Sequence, residues 1–193
     1  MTYENGSKRI FDVLVGGLAL LVTSPLLIAA YVLVRGTSRG PGVYVQSRVG
    51  RYERVFKVYK IRTMVVDNHR IASQTYDKDS DVLFVGRYLR RFKIDELPQL
   101  FNVVVGDMSL IGPRPCLVET ANQMPDWARR RFVVRPGMTG LAQVNGNVAL
   151  SWEDRWKYDV LYTENLSFIT DIKIIGRTIL VLLMGEERFK AKS

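Results

Sequence analysis

Cysteine and histidine are almost absent from this sequence. Of its 193 residues one is cysteine, Cys116, so no disulfide can close within the chain, and one is histidine, His69. A four-ligand Cys/His zinc site is excluded on that count. A Ser-His-Asp triad would have to recruit His69, which lies in a polar stretch that reads as surface. A nucleophile or base must then come from carboxylates, Lys or Tyr. Acids are scarce as well: 19 Asp and Glu face 28 Lys and Arg, a formal net charge of +9. Such a surplus points to an anionic partner (nucleic acid, lipid headgroups or a phosphorylated small molecule), with solvated surface charge as the plain alternative. No G-x-x-x-x-G-K-[ST] loop is present, which excludes a P-loop NTPase, and no G-x-G-x-x-G follows a strand. No internal repeat or low-complexity tract is seen. At 47% hydrophobic and 24% charged residues the chain is suited to one cored domain rather than to disorder.

Charge is missing altogether from Val13 to Val34, a run of 22 residues. As a straight helix it would reach roughly 33 Å, about the thickness of bilayer hydrocarbon. Two features favour a bent, re-entrant helix over a straight span. Ser24-Pro25 interrupts the run near its middle, and proline removes a backbone N–H and crowds the preceding turn. Both flanks are basic, Lys8 and Arg9 before and Arg35, Arg39, Arg48 and Arg51 after, and basic flanks prefer the cytoplasmic side. A signal peptide fits poorly, because the run is long, contains Pro25 and has no A-x-A-like cleavage site after it. A buried core helix is disfavoured by the lack of any polar face.

Gly36 to Gly42 reads as a linker. Residues 43–64 alternate at period two on either side of Gly50, the pattern of a β-hairpin, and this alternation sets Lys60 and Arg62 on one face. They would grip an anion there or protect a solvated edge strand. Residues 66–83 read as loop or short helix, 85–93 as a basic helical turn and 124–134 as a basic helix. A short strand is expected around Leu141 to Val144. Ser151 is a helix N-cap for 151–165, where Trp152 and Trp156 fall one turn apart, in a core or at a membrane interface. Residues 171–184 are apolar but too short to span a bilayer. In "KIDELPQLFN", Asp95 reads first as the N-cap of a helix over 95–104 with Pro98 in its first turn, and Glu96 as a first-turn acid. The surroundings favour chemistry. Arg87, Arg90, Arg91 and Lys93 lie within nine residues. Arg114, between Pro113 and Pro115, offers a guanidinium suited to bidentate phosphate contact. Paired carboxylates among such cations suit phosphoryl chemistry, holding Mg²⁺ or attacking phosphorus.

The segments "KRIFDV…SPLL", "VYKIRTM", "IDELPQLFNVVVGDMSLIGPRP" and "VRPGMTGLAQVNG" together resemble the bacterial monotopic phosphoglycosyl transferases, over roughly Lys8 to Met184. The resemblance implies transfer of a sugar-1-phosphate from a nucleoside-diphosphate sugar, typically a UDP-sugar, to a polyprenyl phosphate such as undecaprenyl phosphate. UMP would leave, Mg²⁺ would assist, and a covalent intermediate would form at the cytoplasmic membrane face. It implies Asp95 as nucleophile, with Glu96 beside it helping to hold the metal. Arg114 matches a phosphate-binding arginine. Lys60, Arg62 and Arg90 match basic positions of the substrate site, and Asp159 and Asp171 acidic positions of the family pattern. Ser24-Pro25 matches the helix break. The chain departs from the pattern at Lys93, where a small polar residue is common, and at Asn147, where Arg is common.

The expected fold is α+β and mainly helical: a re-entrant membrane helix over 1–36, a cytoplasmic catalytic domain with a β-hairpin and interfacial amphipathic helices over 37–185, and a tail over 186–193. It looks like the minimal catalytic core of the family. The expected partners are donor, polyprenyl acceptor and membrane lipid. The competing readings are a non-enzymatic membrane-anchored basic scaffold and, disfavoured by the apolar run, nucleic-acid binding.

Overall fold

A computed structural model describes residues 2–65 and 81–184. His69, most of the expected 66–83 loop and the expected tail lie outside the described residues. After a single turn, α1 (Thr2–Asn5), the apolar run forms α2 (Ser7–Thr37), 31 residues long. This helix is long and apolar enough to cross a membrane, and only 11% of its most apolar stretch is buried, which excludes a core helix. The backbone stays helical through Pro25, so the expected break at Ser24-Pro25 is corrected to a continuous helix. Pro25 cannot donate to the Leu21 carbonyl. Ser24 Oγ donates to that oxygen instead at 2.7 Å, and Thr23 Oγ1 donates to the Ala19 carbonyl at 2.7 Å. The two hydroxyls keep the apolar environment free of an orphaned acceptor.

Burial on α2 is confined to its two ends, at Lys8, Asp12 and Gly16 and again at Ala30 and Val34. At the first end Arg9 donates to the Val103 and Val104 carbonyls at 2.6 and 2.7 Å, and Asp12 accepts the Leu110 N–H at 3.0 Å. At the second, Ala30 and Val34 pack with Ile61 and Leu89. Leu18, Leu21, Val22, Leu26 and Ile28 between them are exposed. Both ends thus rest on one globular body while the apolar centre faces outward.

The hairpin forms as its alternation dictates: β1 (Val43–Val49) pairs antiparallel with β2 (Val55–Ile61), Val43 opposite Ile61 and Val49 opposite Val55. Then come α3 (Phe84–Arg91), a 3-10 turn at Ile94–Glu96 and α4 (Gln99–Val105), which ends on Gly106 at φ 104°. Strand β3 (Ser109–Ile111) pairs in parallel with β4 (Gly137–Thr139). The pair is unusually close: a Cβ on Gly137 would sit 2.0 Å from the Gly112 nitrogen. The strand expected around Leu141 to Val144 is instead a 3-10 turn, Gln143–Asn145. Leu141 and Val144 are three residues apart, a helical spacing, and both pack into the cluster of Ile111, Val134, Tyr162 and Ile174. The remaining elements are α5 (Val118–Asn122), a 3-10 segment at Asp126–Val133 where a helix was expected, α6 (Trp152–Glu164), α7 (Phe168–Met184) and two 3-10 turns, Arg51–Glu53 and Asn147–Ala149. Ser151 caps α6 as expected, its Oγ accepting the Asp154 N–H at 3.1 Å. The tryptophan pair divides, with Trp152 exposed and Trp156 packed on the core around Ala128 and Phe132. The described residues are therefore mainly helical, with two small two-stranded sheets and one long apolar helix.

Candidate active site

Asp95 is not a helix cap. It lies inside the Ile94–Glu96 turn, and α4 begins four residues after it, at Gln99 behind Pro98, with no side-chain cap. The Asp95 side chain is buried and its Oδ1 has no hydrogen-bond partner. A buried carboxylate oxygen without a donor is costly and marks a site kept for another purpose. Burial first, and the Glu96 charge second, push its carboxyl up to about 6, against the opposing pull of Lys60, Arg90 and Lys93. Lys93 enters the turn at φ 55°, a left-handed backbone uncommon for lysine. Asn147 has φ 46°, and asparagine tolerates that region better than the arginine of the family pattern would.

Glu96 lies beside Asp95 in an opposite electrostatic environment. Lys60 Nζ on β2 donates to Glu96 Oε1 at 2.9 Å, and Arg114 clasps the same carboxylate with both terminal nitrogens. Burial alone would raise its pKa, but Arg114 and Lys60 outweigh burial and hold it well below the usual carboxylate range. Two adjacent acids are thus driven apart: Glu96 stays ionised, while Asp95 is easily neutralised, the pattern of a pair with divided tasks. Burial, chiefly, and the nearby Arg114 lower the Lys60 ammonium.

Arg90, on the last turn of α3, donates from Nε to Thr63 Oγ1 at 2.9 Å and leaves a buried Nη1 without a partner. Its charge acts on Asp95. The helix can come so near because Gly86 faces the Thr63 carbonyl, where a Cβ would meet the oxygen at 2.3 Å. Arg114 is held from behind. Gly137 donates to the Pro113 carbonyl at 2.9 Å, and Arg131 donates to the Arg114 carbonyl while pairing with Asp159 at 2.9 Å.

The structure therefore brings Asp95, Glu96, Lys60, Arg90 and Arg114 together and places three other expected residues elsewhere. Arg62 lies past the end of β2, so strand alternation no longer governs it. It is buried with its guanidinium on the Ser38 and Arg39 carbonyls at the end of α2. Asp159 is buried against Arg131; burial raises its carboxyl to about 6, opposed by Arg131 and Arg155. It reaches the site only through the Arg114 backbone. Asp171 on α7 accepts from Lys8 at 2.7 Å, Tyr3 at 2.8 Å and Tyr162 at 2.8 Å. Through Lys8 and Tyr3 it braces the start of the chain and of α2. Sequence reasoning missed Thr63, Arg131, Gln46 and Arg48. Arg48, counted there only as a flanking charge, lies on β1 with its guanidinium at the Pro115 carbonyl, one residue past Arg114.

Among the described residues no three metal-ligating side chains cluster. Mg²⁺ retains several waters and substrate phosphates and takes only one or two carboxylates. The unpartnered Asp95 Oδ1 fits such an ion, whereas both Glu96 oxygens already face cations.

Fold and site together define a membrane-associated protein built around an acid pair set among cations. The chain matches the bacterial sugar transferase family over residues 3–185. It is 38% identical over 179 residues to the sugar transferase EpsL of Bacillus subtilis (strain 168), covering 93% of this chain and 88% of that protein. It is 39% identical over 185 residues to the UDP-N-acetylgalactosamine-undecaprenyl-phosphate N-acetylgalactosaminephosphotransferase of Aeromonas hydrophila, covering 92% and 44%. It is 36% identical over 192 residues to the undecaprenyl-phosphate galactose phosphotransferase of Salmonella typhimurium, covering 91% and 40%. The chain thus spans most of EpsL but less than half the length of the other two. It belongs to the bacterial sugar transferase family and is a transferase; the non-enzymatic scaffold is set aside.

Proposed function

We propose that the protein moves a sugar-1-phosphate from a UDP-sugar to undecaprenyl phosphate or a similar polyprenyl phosphate, releasing UMP, through a covalent intermediate on Asp95. Relatives named for undecaprenyl-phosphate sugar transfer support the reaction class. The observation that carries the reading is Asp95 itself, a buried carboxylate with a free oxygen beside an acid clamped by Lys60 and Arg114.

The ionised Asp95 attacks the phosphorus bonded to the sugar. A bond forms from its carboxylate oxygen to that phosphorus, the bridging P–O bond breaks, and UMP departs with the electron pair. An oxygen of the polyprenyl phosphate then attacks the same phosphorus and the carboxylate is regenerated. Arg90 Nη1 and Arg114 bind phosphate oxygens in both steps, and Lys60 holds Glu96 in place. Asp95 Oδ1 would hold Mg²⁺, whose charge would offset that of the diphosphate, while Glu96 stays clasped by Lys60 and Arg114. Preorganised cations of this sort are typically worth on the order of 10²–10³ in rate each.

The same arrangement supports a monotopic placement at the cytoplasmic face of a bacterial membrane, in the first membrane step of glycoconjugate assembly. In a straight span the two ends of the helix would lie on opposite sides of the bilayer, yet both ends of α2 pack on the one domain. A polyprenyl phosphate keeps its tail in the bilayer and presents its phosphate at that height. Incubation with a panel of UDP-sugars without acceptor, followed by rapid quench and intact-protein mass spectrometry, should reveal a sugar-phosphate adduct that Asp95→Asn lacks. Full turnover by Asp95→Asn would refute the assignment.

A further inference from the structure

Most buried or half-buried cations here have an evident structural reason. Lys8, Lys60, Arg131 and Arg135 each pair with an acid. Arg9 and Arg62 have no acid, but their guanidinia cover carbonyls at the C-terminal ends of α4 and α2, where the helix dipole favours a cation. Arg48 fits neither pattern. It is half-buried, and among the described residues no carboxylate lies within 4.0 Å of it. Its Nη1 reaches the carbonyl of Pro115, the residue that follows Arg114.

Its partners are neutral. Nε and Nη2 both donate to Gln46 Oε1, two residues back on the same face of β1, and Nη1 makes a long 3.3 Å contact to the Pro115 carbonyl. The strand does not need this contact to stay attached to the 113–116 segment, because the Val49 N–H already donates to the Cys116 carbonyl at 2.9 Å. Three of the five guanidinium N–H donors are engaged, so Gln46 sets the plane of the group and the rest stay available. Burial and the Arg114 charge both disfavour the cation as it stands, so an anion laid against the pair relieves both.

Lys60 and Arg114 clasp Glu96, and Arg48 Nη1 reaches the carbonyl of Pro115, the residue after Arg114. We infer that Arg48, aimed by Gln46, is a second guanidinium of the donor site and binds the phosphate that departs with the nucleoside. The inference rests on the sugar-phosphate transfer proposed above. In-line displacement at the sugar's phosphorus puts the attacking carboxylate on one side and the nucleoside phosphate on the other. Arg114 would then touch both phosphates and Arg48 only the departing one.

The test is calorimetric titration of the full chain in nanodiscs with UDP and, separately, with inorganic pyrophosphate. Arg48→Ala should weaken both at least about tenfold with little change in unfolding temperature, and Gln46→Ala a few-fold. Should Arg48→Ala fail to fold, Arg48→Gln carries the same expectation. Binding of both probes by the wild type and by the folded Arg48 variant within twofold of each other would overturn the inference and leave the transfer reading intact. Failure of the wild type to bind either probe would overturn the inference together with the nucleotide donor. Unimpaired turnover by Asp95→Asn that still binds UDP through Arg48 would sink the covalent reading alone.

Discussion

Replacing Asp95 with Asn should abolish transfer and yet change stability in a direction set by pH. In the folded protein the Asp95 carboxyl is displaced from its ordinary 3.8 to about 6, by burial first and by Glu96 second. Below about pH 3.8 both folded and unfolded chains carry the proton and the displacement has no effect on stability. Between 3.8 and about 6 the unfolded chain loses its proton while the folded one keeps it, so stability falls as pH rises. Above about 6 the cost is complete, about 3 kcal/mol at roughly 1.4 kcal/mol per pH unit. An asparagine removes the charge and with it this dependence, whatever constant offset its own unpaired amide adds. The difference in unfolding midpoint between Asp95→Asn and wild type should therefore move in favour of the variant by about 5–10 °C from pH 4 to pH 7, since a small part of the cost is already present at pH 4, at roughly 2–4 °C per kcal/mol. Parallel thermal unfolding in nanodiscs at the two pH values measures it. A difference that does not change with pH would refute the claim that Asp95 is held in an environment hostile to its charge.

The attacking carboxylate must be ionised, so the initial rate of UMP release should fall about tenfold between pH 7 and pH 5. A flat profile down to pH 5 would contradict Asp95 as nucleophile. Lys8→Met leaves Asp171 buried without its 2.7 Å cation and should destabilise the fold by about 3–5 kcal/mol, read by chemical unfolding. The double change Lys8→Met with Asp171→Leu should recover much of that loss. Cysteines placed at Asn5 and Gly40 should both react with a membrane-impermeant thiol reagent from the cytoplasmic side. Cys116, being buried, adds little background, and labelling from opposite sides would show a straight span.

Several elements were legible in the sequence because local rules govern them. The hairpin followed from period-two alternation around Gly50, the start of α6 from Ser151, and the uncharged Val13–Val34 run from its length. The acid pair stood out because adjacent carboxylates among arginines are unusual. Local rules failed elsewhere. Ser24-Pro25 was expected to break the helix, which instead runs on through Pro25 with the Ser24 hydroxyl on the Leu21 carbonyl. Arg62 was expected beside Lys60, but β2 stops at Ile61 and the side chain turns to the end of α2.

The sequence by itself determined the apolar membrane segment, the hairpin and the family, since each depends on residue types at short, regular spacings. Tertiary structure alone decided that Asp95 keeps an oxygen unpaired while Glu96 is clasped, that Asp159 and Asp171 serve as braces, and that Arg48 reaches the Pro115 carbonyl next to Arg114 in the chain. The carboxylates and guanidinia are the same chemical groups at every position. What distinguishes them is desolvation and the charges within a few ångströms, and those are supplied by strands and helices far apart in the chain.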